Sequence, residues 1–153
     1  MSPPELPFGG DMLYARPMLP AFSDIEAEWD AALDWDERYA YLIALGRSLE
    51  PMEAALKTAA TKVPGCSANV WVYPIHDSET LRFQADSDAA ITKGIVALVV
   101  AMAEGKTPGQ VLTTDFQGAI DRLGLRQHLS SNRTQGLPNM IARVREAASR
   151  LAA

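Results

Sequence analysis

Ala68-Asn69-Val70-Trp71-Val72-Tyr73-Pro74-Ile75, His76-Asp77-Ser78-Glu79 and Leu81-Arg82-Phe83-Gln84-Ala85 follow one another almost without interruption, and their order decides the fold. The first run is rich in β-branched and aromatic residues, and the second has turn chemistry. In the third, Leu81, Phe83 and Ala85 alternate with Arg82 and Gln84. Together they predict an antiparallel hairpin near 68–85 with one buried face. Asp86-Ser87-Asp88 then offers N-cap side chains to a helix near 89–104, which is apolar almost all round through Ile91, Ile95, Leu98, Val99 and Met102 and closes at Gly105. A helix without a polar face belongs at the centre of a core. The expected class is therefore α+β, a single domain in which a small antiparallel sheet packs against several helices.

Upstream, Met52 to Lys62 is short and ends against Pro64, so it reads as a turn or loop. Before it, Asp34 with Glu37 forms a capping pattern, and Trp35, Tyr39, Leu42, Gly46 and Leu49 recur at helical spacing until Pro51, which predicts a helix over 35–49. Ser23-Asp24-Ile25-Glu26 is a second capping-box pattern, ahead of Ile25, Trp29 and Leu33 on one face, and predicts a helix near 24–33. Residues 1–21 hold five prolines and Gly9-Gly10, which deny a helix its hydrogen bonds and a strand its regularity. They read as a flexible extension before a domain over 22–153. Downstream, Thr107–Leu112 and Phe116–Leu123 predict two short helices, and Leu137, Ile141, Val144, Ala148 and Leu151 mark a terminal amphipathic helix beginning after Asn132 or Thr134.

Composition excludes several functions. The longest apolar stretch, Gly94 to Ala103, is about half of the roughly 20 residues that span a bilayer, so no membrane partner is expected. The net charge of −5 is uneven: residues 1–62 carry 11 acids against 5 bases, and residues 63–153 carry 8 against 9. Asp24 to Glu37 includes seven acids and no base until Arg38, which repels a phosphate backbone, and the later bases are not interleaved with stacking aromatics. Nucleic acid is not an expected partner. With one cysteine and no secretory signal pattern, the expected compartment is a reducing cytoplasm.

That cysteine, Cys66, stands at Val63-Pro64-Gly65-Cys66-Ser67, just before the first strand. A lone thiol cannot form an internal disulfide, nor can it build a metal or cluster site needing several thiolates. Four readings stay open: an inert buried thiol, a nucleophile, a redox sensor, or a one-atom carrier. Pro64-Gly65 ahead of it suits a tight turn, and a turn tip favours reactivity, because reactive groups sit on loops held by rigid scaffolds. Reaction requires the thiolate, hence amides or a cation such as Lys62, Arg133 or His128 nearby. His76 reads as a solvated turn residue. His128 lies in the polar stretch Arg126 to Arg133 and could serve a cap, a turn or a Cys–His enzyme. Asp86 and Asp88 fit helix capping better than acid–base or metal chemistry. No Gly-rich phosphate loop or dinucleotide fingerprint occurs, and no bound cofactor or metal is expected.

Three blocks, Pro64-Gly65-Cys66-Ser67-Ala68-Asn69-Val70-Trp71, Asp86-Ser87-Asp88-Ala89-Ala90-Ile91-Thr92-Lys93-Gly94, and Gln127-His128-Leu129 with Ser131-Asn132-Arg133-Thr134-Gln135-Gly136-Leu137, resemble in sequence and order the SufE family of sulfur acceptors, which includes the CsdE proteins. With the segment Trp35 to Gly46, the resemblance covers roughly residues 22–150. It implies a SufE-like (IscU-like) fold and a partner of a pyridoxal-phosphate (PLP) cysteine desulfurase of the SufS or CsdA type. That desulfurase holds sulfur as a persulfide on its own cysteine. Cys66 would accept the sulfur, stimulate the desulfurase by emptying it, and deliver the cargo to an iron–sulfur scaffold complex. On this reading the chain is a transpersulfidation partner and not a stand-alone enzyme, and PLP belongs to the desulfurase.

The resemblance also implies that the Cys loop packs against an apolar pocket and swings outward, with Gly65 as hinge. Asp88, His128 and Arg133 match family positions around the loop or the partner surface. The chain departs from the family at Ser67, where Gln is common, and at Ala85, where Gly is common. A single cysteine suits a carrier, since a second thiol nearby would resolve the persulfide into a disulfide. The alternative from another class is a small Cys–His thiol enzyme, a hydrolase or peroxidase.

Overall fold

The computed structural model describes residues 19–152 apart from Ser78, with the side chains of His76 and Asp77 also outside the description. The expectation of a flexible extension over 1–21 therefore falls almost wholly outside the described residues. From Leu19 the chain enters helix α1 (Phe22–Ala31) and then α2 (Trp35–Arg47), a 3-10 turn (Ala54–Leu56), strands β1 (Val70–Asp77) and β2 (Thr80–Ser87), and α3 (Ala90–Ala103). It continues through α4 (Pro108–Leu112), α5 (Phe116–Leu123), α6 (Leu125–His128), α7 (Ser131–Thr134) and α8 (Leu137–Ala152). The class is α+β.

The hairpin is antiparallel and in unbroken register from Val70 opposite Ser87 to Asp77 opposite Thr80. The ladder thus runs through His76 and Asp77, which the sequence assigns to the turn. Leu81, Phe83, Ala85 and Ser87 are buried and Arg82, Gln84 and Asp86 half-buried, as a one-faced strand requires. Before the hairpin, the expected loop at 52–62 also contributes to the sheet edge. Lys62 bridges to Trp71, Val63 N–H donates to Val70 O at 2.8 Å, and Val72 N–H donates to Thr61 O at 2.9 Å.

Helix α3 is the hub. Its residues from Gly94 to Ala103 are all buried, and it packs on α2, on both strands and on α8. Gly94 permits the approach to α2, because a Cβ there would meet the backbone of Leu42, and Gly46 faces the backbone of Lys93 and Gly94 from the other side. Trp29 is buried and its indole N–H donates to Leu123 O at 3.1 Å, joining α1 to α5.

Three local expectations change. Helix α1 begins at Phe22 with Ala21 as N-cap and no side-chain cap, so Ser23 lies inside the first turn and the Ser23–Glu26 capping box does not form. The chain turns extended at Ala32, so Leu33 leaves the stripe of Ile25 and Trp29 and is 86% exposed. At α2, Asp34 does cap, accepting from Glu37 N–H at 2.9 Å, but the Glu37 carboxylate accepts from Leu33 N–H instead of from the cap residue.

Candidate functional site

Cys66 follows Val63-Pro64-Gly65 as the chain leaves the bridge beside β1, and it lies half-buried against the edge of the core. Gly65 has φ of 81°, a left-handed conformation that a side chain resists. A side chain there would also collide with the Asn139 amide. Both flanks of the tip are tied down. On the upstream side, helix α8 supplies Asn139, whose Nδ2 donates to Pro64 O at 2.8 Å, and Arg143, which donates to Ala60 O at 3.2 Å and Lys62 O at 2.9 Å. On the downstream side, Ser67 Oγ donates to Asn132 O at 2.7 Å, and Asp88 accepts from Asn69 N–H at 3.1 Å and Nδ2 at 2.8 Å. The departure at Ser67 thus has a structural use: its hydroxyl joins the loop to α7. Ala85 simply continues the buried face of β2.

The thiol sits against Gly136. A Cβ built on that glycine would fall 3.1 Å from Cys66 Cβ and 3.2 Å from its Cα, and closer still to Sγ. The sulfur's hydrogen-bond partner is Pro64 O at 4.0 Å, a weak contact. Burial pushes the thiol pKa above its ordinary value, and no neighbouring charge offsets it. In this arrangement Cys66 is a sheltered thiol whose neutral form burial favours.

The other candidates divide. Asp88 is at the loop; it does not cap α3, whose N-cap is Ala89 with no side-chain bond. Asp86 does not cap either. Its carboxylate meets Lys57 Nζ at 2.7 Å and Lys93 Nζ at 3.2 Å and accepts from Ser87 N–H at 2.8 Å. Lys57 also lies over the Trp71 ring, 5.3 Å from its centroid. Burial raises the Asp86 pKa, but the bonds from Lys57, Ser87 and Lys93 outweigh it and leave the carboxyl below its usual value. Arg133 is exposed on α7, one residue beyond the Asn132 carbonyl that holds Ser67.

His128 is elsewhere in its contacts. It ends α6, stacks on Trp35 with ring centroids 3.9 Å apart and planes 14° off parallel, and approaches Gly124 O through Nδ1 at 3.2 Å. Its own carbonyl accepts from Tyr39 Oη at 3.0 Å. Among the described residues no imidazole is hydrogen-bonded to the thiol, and no group of three His, Cys, Asp or Glu is placed to hold a metal. Sequence reasoning missed Asn139 and Arg143 altogether, and it quoted Asn132 and Gly136 only within the third resembling block, without a role at the thiol. Asn132 and Gly136 share that block as a signal, and Gly136 adds a second one as a glycine next to the start of a helix.

Fold and site together define a helix-rich α+β domain that presents one sheltered thiol on a loop anchored at both sides. The chain belongs to the SufE family: the model of the "Fe-S metabolism associated domain" matches residues 23–148, which places the chain with proteins of iron–sulfur metabolism. An uncharacterized SufE-like protein of Rhizobium meliloti (strain 1021) is 39% identical over 125 residues, covering 78% of this chain and 89% of that protein. One from Rhizobium etli is 38% identical over 119 residues, covering 75% and 80%. The solution structure of a hypothetical protein from Thermus thermophilus shares the fold, with a TM-score of 0.70 at 19% identity over 88% of this chain and 98% of that one. Among the described residues no helix is long and apolar enough to cross a membrane.

Proposed function

We propose that this protein is a cytoplasmic sulfur acceptor that takes persulfide sulfur from a PLP-dependent cysteine desulfurase onto Cys66, stimulates that desulfurase, and passes the sulfur toward iron–sulfur cluster assembly. The observation that carries the reading is a solitary, half-buried thiol at the tip of a loop whose two flanks are tied to α7, α8 and the end of β2. A carrier needs a sulfur that is sheltered between transfers and able to move out for them, and the anchored flanks leave the tip alone to move.

The transfer balances without an external oxidant. The Cys66 thiolate attacks the outer sulfur of the partner's Cys–S–SH, that S–S bond breaks, and the partner's thiolate leaves. A new S–S bond makes Cys66 the persulfide, and the proton given up by Cys66 returns to the partner's thiolate or to solvent. Asp88 keeps the downstream flank in place, Gly65 supplies the hinge, and the exposed Arg133 faces the partner beside the loop. His128 acts at a distance, by fixing α6 to α2. The chain binds no cofactor of its own, and the pyridoxal phosphate stays with the desulfurase.

Intact mass measurement tests the proposal. Incubation with a cysteine desulfurase and free cysteine adds one sulfur atom that a reductant removes and that Cys66→Ser abolishes. Sulfur loading on the Ser variant, or none on the folded wild type, overturns it.

A further inference from the structure

We infer that Gly136 is a positioning residue for the sulfur chemistry: its missing side chain is the seat of the Cys66 thiol, and it sets how much of the time that thiol is sheltered and how much presented. The three heavy atoms nearest to a Cβ built on Gly136 are all from Cys66, namely Sγ, Cβ and Cα. The space a methyl group would fill is therefore occupied by the cysteine itself. Gly136 is buried and has no left-handed backbone to explain the absence of a side chain. Its neighbours fix it in place, since Gly136 O accepts from Met140 N–H at 2.9 Å at the start of α8, and Leu137 and Met140 are in the core. The loop facing it is the softer side. Cys66 has one weak polar contact, and Gly65 beside it is exposed and already in a conformation that only glycine takes readily.

A methyl group at 136 therefore displaces the thiol and leaves the helix start where it is. The sulfur loses its sheltered site and meets water, and its ionisation returns toward that of a free cysteine. The consequence for sulfur transfer rests on the acceptor reading above; the consequence for the thiol itself does not.

The experiment compares wild type with Gly136→Ala as folded proteins. Native alkylation by iodoacetamide is followed from neutral to alkaline pH. In the variant, labelling at neutral pH is expected to rise on the order of tenfold, with the midpoint of the pH profile moved down. Equal rates and equal midpoints overturn the inference, because the methyl group is then accommodated without moving the thiol. Should Gly136→Ala fail to fold, the same substitution is made in Cys66→Ala, where no sulfur occupies the seat. Folding of that double variant supports the inference, and its failure overturns it. Sulfur uptake from a desulfurase is measured alongside. Faster labelling with no uptake by either protein leaves the seat standing and removes the acceptor reading. Unchanged labelling with normal uptake does the reverse.

Discussion

Asp88 holds Asn69 at two points, accepting its backbone N–H at 3.1 Å and its side-chain amide at 2.8 Å, while Asp88 N–H donates back to Asn69 O at 3.3 Å. An acid just ahead of a helix reads as a cap. Here it is turned to fasten the strand that leaves the Cys loop, three residues beyond the thiol. In Asp88→Ala the first two bonds go and the third weakens. The expected cost is about 1 kcal/mol, since the site is exposed, read as a shift in the urea midpoint. Native alkylation of Cys66 rises severalfold in the same variant. Unchanged labelling would separate the clamp from the loop.

Arg143 makes the corresponding tie on the upstream side. Its guanidinium spans the carbonyls of Ala60 and Lys62, neither of which belongs to a helix. Arg143→Ala leaves both to water and is expected to cost about 1 kcal/mol. Arg143→Lys recovers less than half of it, because a single ammonium cannot reproduce the planar fork. Denaturant titration of the three proteins checks the order wild type, Lys, Ala.

How much of this was legible depends on whether a signal was periodic. The hairpin alternates over Leu81–Ala85 and α3 is apolar throughout, so both follow from residues close in sequence. The four-residue helices α6 and α7 are too short to show a period and are missed. Helix starts fail for another reason. Ser23 and Glu26 have the right spacing, but Ala21 O already accepts from Asp24 N–H and Ile25 N–H, so the helix begins two residues too early for Ser23 to cap it. Cys66 could be singled out by its solitude and its turn. Its seat could not, because Gly136 lies seventy positions away, and nothing local to either residue records the contact.

His128 is exposed yet stacked on Trp35, which also meets Trp29 edge-on at 5.4 Å between centroids and Tyr39 at 6.4 Å. Aromatic pairs of this kind contribute roughly 0.5–1.5 kcal/mol beyond area. His128→Ala is therefore expected to lower stability by about 1 kcal/mol while leaving the rate of Cys66 alkylation within a factor of two. A large change in the thiol's pH profile would instead tie the imidazole to the sulfur. Melting and labelling of one variant decide between them.

Asp86 gives the fold an acid-sensitive contact. Its folded-state pKa lies below its unfolded value, so its contribution to stability is present above the unfolded value, near 4, and is lost as pH falls through the folded one. Titrating the melting temperature from pH 7 down to pH 2.5 should show a steeper acid loss in wild type than in Asp86→Asn. The variant should also be less stable at pH 7, where Lys57 and Lys93 lose their shared carboxylate. Parallel curves would show that the two ion pairs do not stabilise the fold.

Cys66 has the opposite sign. Burial raises its folded pKa, so the fold favours the neutral thiol, and the stability this brings is complete below the unfolded pKa and disappears as pH rises through the folded one. Two measurements follow from the same sheltered sulfur. The native alkylation rate should reach its midpoint at a higher pH than that of the urea-unfolded chain. The wild type should also lose stability between mildly and strongly alkaline pH faster than Cys66→Ala, which has no proton to lose there. A native midpoint at or below the unfolded one would mean that the resting thiol already stands in water or beside a cation. On the proposed acceptor role, a desulfurase would then meet an open nucleophile, with no need for the loop to move before sulfur transfer.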